Sequence, residues 1–460
     1  MAQNTKVTAD HNAPPITRIL AEFVANHPSR GWSDAVEHEA HRTFLNWFGC
    51  AIGAATHPAM DAALGAMMEL SPAPQASILG RTERVDIAAA ALLNGIASHT
   101  FDFDDTHLKT IIHPAGPVAS ALLALAEKTG ASGREIIDAL VLGIDVSCRI
   151  GNMMYPEHYD RGWHITGSTG TIGAAAACAR LMKLNVQKTQ MAIGIAASQP
   201  IGMREQFGTM TKPFHPGAAA RAGLTSALMA KHGFTASLRA LEAPRGYTQT
   251  VSTKYDWHEV TAELGRRFEI SFNTYKPFAC GIVIHPSIDA AVQLRNEHGI
   301  KAADVERIDL KVHSLVLELT GKKTPKDGLE AKFSVYHSAA AGLLFGEAGE
   351  HQYDDAIVNR ADMLDLRSRI VATVDDSIHE ASVDATVTCK DGRKVHLFVK
   401  HAIGSMENPM TDAQLEGKFD GLVQPILGPA KSANLQRLCW DLARHGNVNA
   451  LVAEAKPWHP

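Results

Sequence analysis

The hydrophobic periodicity of this chain changes near Phe272 and changes back near Thr411, and that pair of switches limits the folds open to it. Before Phe272, apolar residues recur at helical spacing. Val36, Ala40, Phe44, Trp47, Phe48 and Ala51 form one such series, with Ser33-Asp34 ahead of it as a start signal. Ser132-Gly133-Arg134-Glu135 is a capping box, followed by one apolar face of Ile136, Ile137, Leu140, Val141 and Ile144. After Phe272 the period falls to two. Ile308, Leu310 and Val312 alternate with Asp309, Lys311 and His313, and Val383, Ala385, Val387 and Cys389 alternate in the same way. Asp391-Gly392 then predicts a hairpin with a type I′ turn before Val395, Leu397 and Val399. Thr411-Asp412-Ala413-Gln414 is a second capping box, and Leu435, Leu438, Cys439 and Leu442 predict a last helix stopping at Gly446. The class is mainly α, and the last helices must bury their apolar faces on the first helical region.

One stretch of the helical region is unlike the rest. Asp102-Phe103-Asp104-Asp105-Thr106-His107, with His113-Pro114 after it, sets three carboxylates, a hydroxyl and two imidazoles among apolar neighbours. Polar groups there cost roughly 2–7 kcal/mol each without partners, and charges cost more. Such a cluster is either a helix-capping network or a site. Three further segments combine small residues with chemistry-bearing ones: Gly162-Trp163-His164-Ile165-Thr166-Gly167-Ser168-Thr169-Gly170, Phe207 to Gly217 with Lys212-Pro213 and His215-Pro216, and Tyr275-Lys276-Pro277-Phe278-Ala279-Cys280-Gly281 with His285-Pro286 beyond. Phe333-Ser334-Val335-Tyr336 follows.

With Asn94-Gly95 ahead of the acidic cluster, these segments resemble the MmgE/PrpD family in content and order, from about residue 15 to the C-terminus. That family includes 2-methylcitrate dehydratases, cis-aconitate decarboxylases and iminodisuccinate epimerases. The resemblance implies a large all-α domain (15–272 plus 403–456) with an inserted α+β lid domain (273–402), a pocket between the two, and a homodimer. Residues 1–14 are expected to form a disordered tail.

The resemblance places Asp102, Thr106 and His113 in the pocket and gives His164 a site role. Whether His107 or His113 fills the family's histidine position stays open, because the spacing differs by one residue from the decarboxylase pattern. Cys280 stands where that pattern carries a second histidine. A substrate bearing two or three carboxylates needs convergent cations, which Lys212, Lys276 and His285 supply, and chemistry beside a carboxylate needs a proton-transfer group such as His113 or His164. Asp102 would orient an imidazole, and Tyr336 would assist on the leaving side. The expected function is a cofactor-independent lyase of a small di- or tricarboxylic acid, a dehydratase or decarboxylase. An epimerase of a dicarboxylate and a non-catalytic polycarboxylate binder are the alternatives. Each of these residues also has an ordinary reading: a capping carboxylate, a core histidine on a carbonyl, a surface ion pair for Arg204, a half-buried lid tyrosine.

Other classes are disfavoured. A net charge of −5 and the lack of a basic arm or RNA motif argue against nucleic acid. Asp104-Asp105 lacks the third acid of a D-D-x-x-D metal cluster, so no metal is expected. Gly170 to Ala179 matches neither nucleotide-binding glycine motif. Six scattered cysteines without a C-x-x-C pair, no apolar leader and no run of 18 apolar residues point to a reduced cytoplasmic protein off the membrane.

Overall fold

The computed structural model describes residues 13–70 and 73–457, so residues 1–12 of the expected tail lie outside the described residues. The chain is mainly α-helical, with a four-stranded sheet in a separate C-terminal domain. In the helical part, the Ser33 side chain accepts from the Val36 amide and starts Asp34–Gly53. Both reciprocal bonds of the Ser132/Glu135 capping box are present at the start of Gly133–Met154. The helix Thr211–Lys231 packs on Ile165–Leu181, Ile87–Thr100, Val186–Ala197 and Ala115–Thr129. Glycine permits the tightest of these crossings, since a Cβ on Gly95 would lie 2.5 Å from the Gly217 Cα. This close approach sets the C-terminal end of Ile87–Thr100 beside the first turn of Thr211–Lys231.

A short antiparallel ladder joins distant parts of the chain. Asp105–His107 pairs with Asn273–Tyr275 in the register Asp105 to Tyr275, Thr106 to Thr274 and His107 to Asn273. The larger sheet runs Ile370–Val374, Val305–Val312, Val383–Cys389, Lys394–Val399, parallel in its first pair and antiparallel in the others. Ile308, Leu310 and Val312 are buried and face the core, as their alternation requires. The helices His285–Asn296 and Val335–Phe345 pack on each other and on this sheet.

The C-terminal helix Asp412–Leu427 starts at the Thr411/Gln414 capping box and packs on Asp34–Gly53, where Phe419 lies against Gly49. Two sequence expectations need correction. The hairpin after Cys389 forms, but only Gly392 has positive φ (+86°), so the turn is not type I′. The last long helix, Pro429–Trp440, ends before Gly446 and gives way to a 3₁₀ turn at Leu442–Arg444. Among the described residues no helix is long and apolar enough to cross a membrane.

Candidate active site

Asp102 is the hub of the site. The helix Ile87–Thr100 ends at Phe101, and Asp102 then adopts a φ of +51°. A left-handed conformation costs a non-glycine residue roughly 1–2 kcal/mol. The carboxylate meets two ammonium groups there, Lys276 Nζ at 2.5 Å from Oδ1 and Lys212 Nζ at 2.8 Å from Oδ2. Lys276 also donates to the Asp102 carbonyl at 3.0 Å. Burial raises the Asp102 pKa, but the two ammonium groups outweigh it and hold the carboxyl well below its usual range. Burial pulls both lysines down. For Lys276, Asp102 and Asp104 reverse the effect and its pKa rises. Lys212 stays lowered, with Lys276 among its neighbours and the rings of Phe207 and Phe333 at 5.2 and 5.1 Å.

Four imidazoles surround this centre. Asp104 accepts from His99 Nδ1 at 2.7 Å and lies 3.8 Å from His113 Nδ1. His113 Nδ1 faces the Asp105 carbonyl at 2.7 Å. A carbonyl only accepts, so Nδ1 carries the proton and Nε2 keeps its lone pair. Burial pushes the His113 pKa to about 3, with Asp104 opposing. His164 begins the helix Ile165–Leu181, and its Nδ1 lies 2.9 Å from His215 Nδ1, so the two rings share one proton. Burial holds His164 well below the usual histidine range and His215 at about 4. Gly202, at φ +100°, lets a loop lie against this pair, because a Cβ there would sit 3.0 Å from both side chains. A bound polyanion would raise the pKa values of these histidines again.

Asp102, His113, His164, Lys212 and Lys276 line one cleft with Tyr159 and Phe207, and Ile282, Thr320 and Phe333 of the C-terminal domain form its far wall. Its volume of about 40 Å³ holds roughly three water molecules. Two contacts cross between the walls nearby. Arg204 pairs with Glu318 at 2.7 Å, the surface-type ion pair that sequence allowed, and Lys332 donates to the Phe101 carbonyl at 2.8 Å.

The remaining candidates divide. Thr106 stands behind His113, its Oγ1 3.2 Å from Nδ1. His107 is fully buried between Thr110 and Glu269, away from the cleft, so His113 is the histidine that faces it. Asp105 is structural, capping Ala115–Thr129 through the Ala115 amide at 3.1 Å. Lys276, numbered with the α/β segment, directly follows Asn273–Tyr275 and is held on the helical side of the cleft. His285 is buried beside Phe278 and does not line the cleft. Tyr336 lines a separate groove of the C-terminal domain. Lys212 is the second residue of a helix, with Pro213 in the first turn, and is only 6% exposed. Cys280 is buried with its thiol pushed up to about 12, which makes it an inert packed group.

Three contributors were missed. His99 sits in the last turn of Ile87–Thr100, three residues before Asp102, a spacing that could have flagged it. His215 lies one turn beyond Lys212. Lys418, from the C-terminal helix, donates to the Phe103 and Lys276 carbonyls and to Asn46 Oδ1, tying together the two segments that carry Asp102 and Lys276. Nothing in its local sequence marks it.

Ring nitrogens of His99, His113 and His164 lie within 4.8 Å of one another, and His99 also groups with Asp102 and Asp104. These groups could hold a metal ion. Lys212 and Lys276 already occupy both oxygens of Asp102, and a dication there would face two ammonium groups at close range. Activity is expected to survive exhaustive chelation. Loss on chelation, with recovery on adding one metal, would overturn that expectation.

The buried histidines set a further prediction. Burial lowers His113 and His285 to about 3 and His158, His215 and His337 to about 4. With folded values depressed, their contribution is present above the unfolded value near 6.5 and is lost as pH falls through the folded values. Burial raises Asp105 and Glu350 to about 7 and Asp145 to about 6, which acts in the opposite direction. With His164 also held low, the depressed histidines outnumber these raised acids, so stability should fall as pH drops below about 6.5. Urea unfolding at pH 7.5, 6 and 5 checks this. Stability that is flat or rises on acidification would refute it.

Residues 18–260 match the MmgE/PrpD N-terminal domain and residues 278–442 the MmgE/PrpD C-terminal domain. The chain is 26% identical to the cis-aconitate decarboxylase-like protein oryM of Aspergillus oryzae, over 95% of this chain and 96% of that one. It is 27% identical to human cis-aconitate decarboxylase over 72% and 71% of the two chains. It is 22% identical to the 2-methylcitrate dehydratase of Escherichia coli K12 over 76% of each.

Proposed function

The chain belongs to the MmgE/PrpD family, and from that premise we propose that it is a lyase acting on a small di- or tricarboxylic acid at the Asp102 cleft. The observation that carries this reading is the convergence of two buried ammonium groups, Lys212 and Lys276, beside histidines that burial keeps neutral. The ammonium groups bind substrate carboxylates in competition with Asp102. The Nε2 lone pair of His113 takes a proton, and Lys212, its pKa already lowered, gives one. In dehydration, a C–H proton goes to His113 and the departing hydroxide takes a proton from Lys212. In decarboxylation, the electron pair of the bond to the leaving CO₂ stays on carbon, which takes the proton instead. We favour the carboxy-lyase branch, since the decarboxylase-type relatives match at 23–27% identity and the dehydratases at 22%.

The cleft, at about 40 Å³, has room for only roughly three waters, so a polycarboxylate needs it wider. The wall formed by Gly281 to Val283, Leu319, Thr320 and Phe333 then has the part of a lid that closes and excludes water. Within this reading the lid is residues 273–402 without Lys276, the helical body is 15–272 plus 403–456, and the enzyme works as a homodimer. His285 orders the lid beside Phe278, and Tyr336 takes no part in the chemistry.

Turnover in D₂O across a panel of polycarboxylates tests the proposal. A carboxy-lyase releases CO₂ and leaves one deuteron on carbon, and a hydro-lyase run in reverse adds deuterium beside a new hydroxyl. C–H exchange with inversion, and neither CO₂ nor water lost, would instead make the enzyme an epimerase. Binding without reaction across the panel would make it a binder.

A further inference from the structure

A second groove lies in the C-terminal domain between the helix Ala361–Ser368, the strand Ile370–Val374 and the start of Val335–Phe345, with a volume of about 460 Å³. That is within the roughly 300–1,000 Å³ of small-molecule sites. Its wall holds a cation that the fold does not neutralise. Arg367 is 8% exposed, its Nη1 is buried without a hydrogen-bond partner, and among the described residues it makes no ion pair. The acids of its own helix are committed elsewhere, Asp365 to Arg369 at 2.5 Å and Asp362 to Arg360 at 2.6 Å. Arginine stays charged at neutral pH even where burial lowers its pKa, as it does here.

The other lining groups favour the same kind of ligand. Lys323 lies 5.9 Å from the centre of the Tyr336 ring and adds a second positive charge at the mouth. Thr324 and Ser368 add hydroxyls, while Leu364, 41% exposed, and the Tyr336 ring supply apolar surface. We propose that this groove binds an organic oxyanion, its carboxylate or phosphate held by Arg367 and Lys323 and its apolar part laid against Leu364 and Tyr336. Guanidinium recognises both head groups through paired N–H donors, so the groove's chemistry specifies an oxyanion of either kind. The site is separate from the Asp102 cleft and shares no lining residue with it.

Calorimetric titration of the full chain with phenyl phosphate and with phenylacetate tests the assignment. At least one probe is expected to bind saturably, one per chain, at millimolar concentration or below, and the tighter of the two identifies the head group. Arg367→Met should weaken that binding by about tenfold or more, the loss expected for one charge-assisted contact. Lys323→Met, at an exposed position, should weaken it by a smaller factor and keeps the test valid if Arg367→Met fails to fold. Lys212→Ala should leave it unchanged. No saturable binding by either probe, equal binding to both groove variants and wild type, or binding lost in Lys212→Ala instead, would overturn the proposal.

Discussion

Replacing Asp102 with alanine is expected to cost about 3–5 kcal/mol of stability and to abolish turnover. Removing one partner of a buried ion pair leaves an uncompensated charge, and costs of that order are usual. Here the loss strands two ammonium groups, because Lys212 and Lys276 both rest on this one carboxylate. They would lie close together with Asp104 as the nearest remaining acid on their side of the cleft, and that carboxylate is held by His99. Asp102→Asn keeps the shape and one acceptor oxygen, so it should unfold less readily while still losing activity. Melting temperature and urea midpoint read the effect. An Asp102→Ala protein as stable as wild type would show that the two lysines do not depend on this carboxylate.

Lys212→Ala should give the opposite balance, with little change in stability and a large loss of activity. Asp102 keeps Lys276 at 2.5 Å, and the repulsion between the two ammonium groups is removed. The cost to the fold is the gap left between Phe207 and Phe333. A charge-assisted bond to substrate is worth roughly 1.5–3 kcal/mol, which corresponds to about a tenfold to hundredfold fall in kcat/KM. The fall is larger still if the same ammonium delivers the proton. Near-normal kinetics in a folded variant would remove Lys212 from the site.

How much of this was legible beforehand differed from residue to residue. The helix starts at Ser33, Ser132 and Thr411 were readable because a capping side chain acts on amides within three residues. The strands at 305–312 and 383–389 were readable because burial on one sheet face imposes a period of two. The turn at Asp391-Gly392 was misjudged, since four residues separate the strands and only the glycine needs positive φ. At the site, the motif residues Asp102, His113, His164, Lys212 and Lys276 were named from sequence, and they line one cleft. Tyr336 was named with them, but it opens onto another groove.

By itself, then, the sequence determined where helices begin, which segment carries the sheet and which chemical groups are on hand, because each depends on interactions among near neighbours. Only the tertiary structure decided what those groups do. His107 and His113 are six residues apart in the same acidic stretch, yet one is locked on Glu269 while the other, held by the Asp105 carbonyl and the Thr166 hydroxyl, faces the cleft. His99, Lys418 and Arg367 gain their meaning in the same way. Whether a charge is paired, desolvated or left open to a ligand depends on partners far away in the chain, and no local pattern records them.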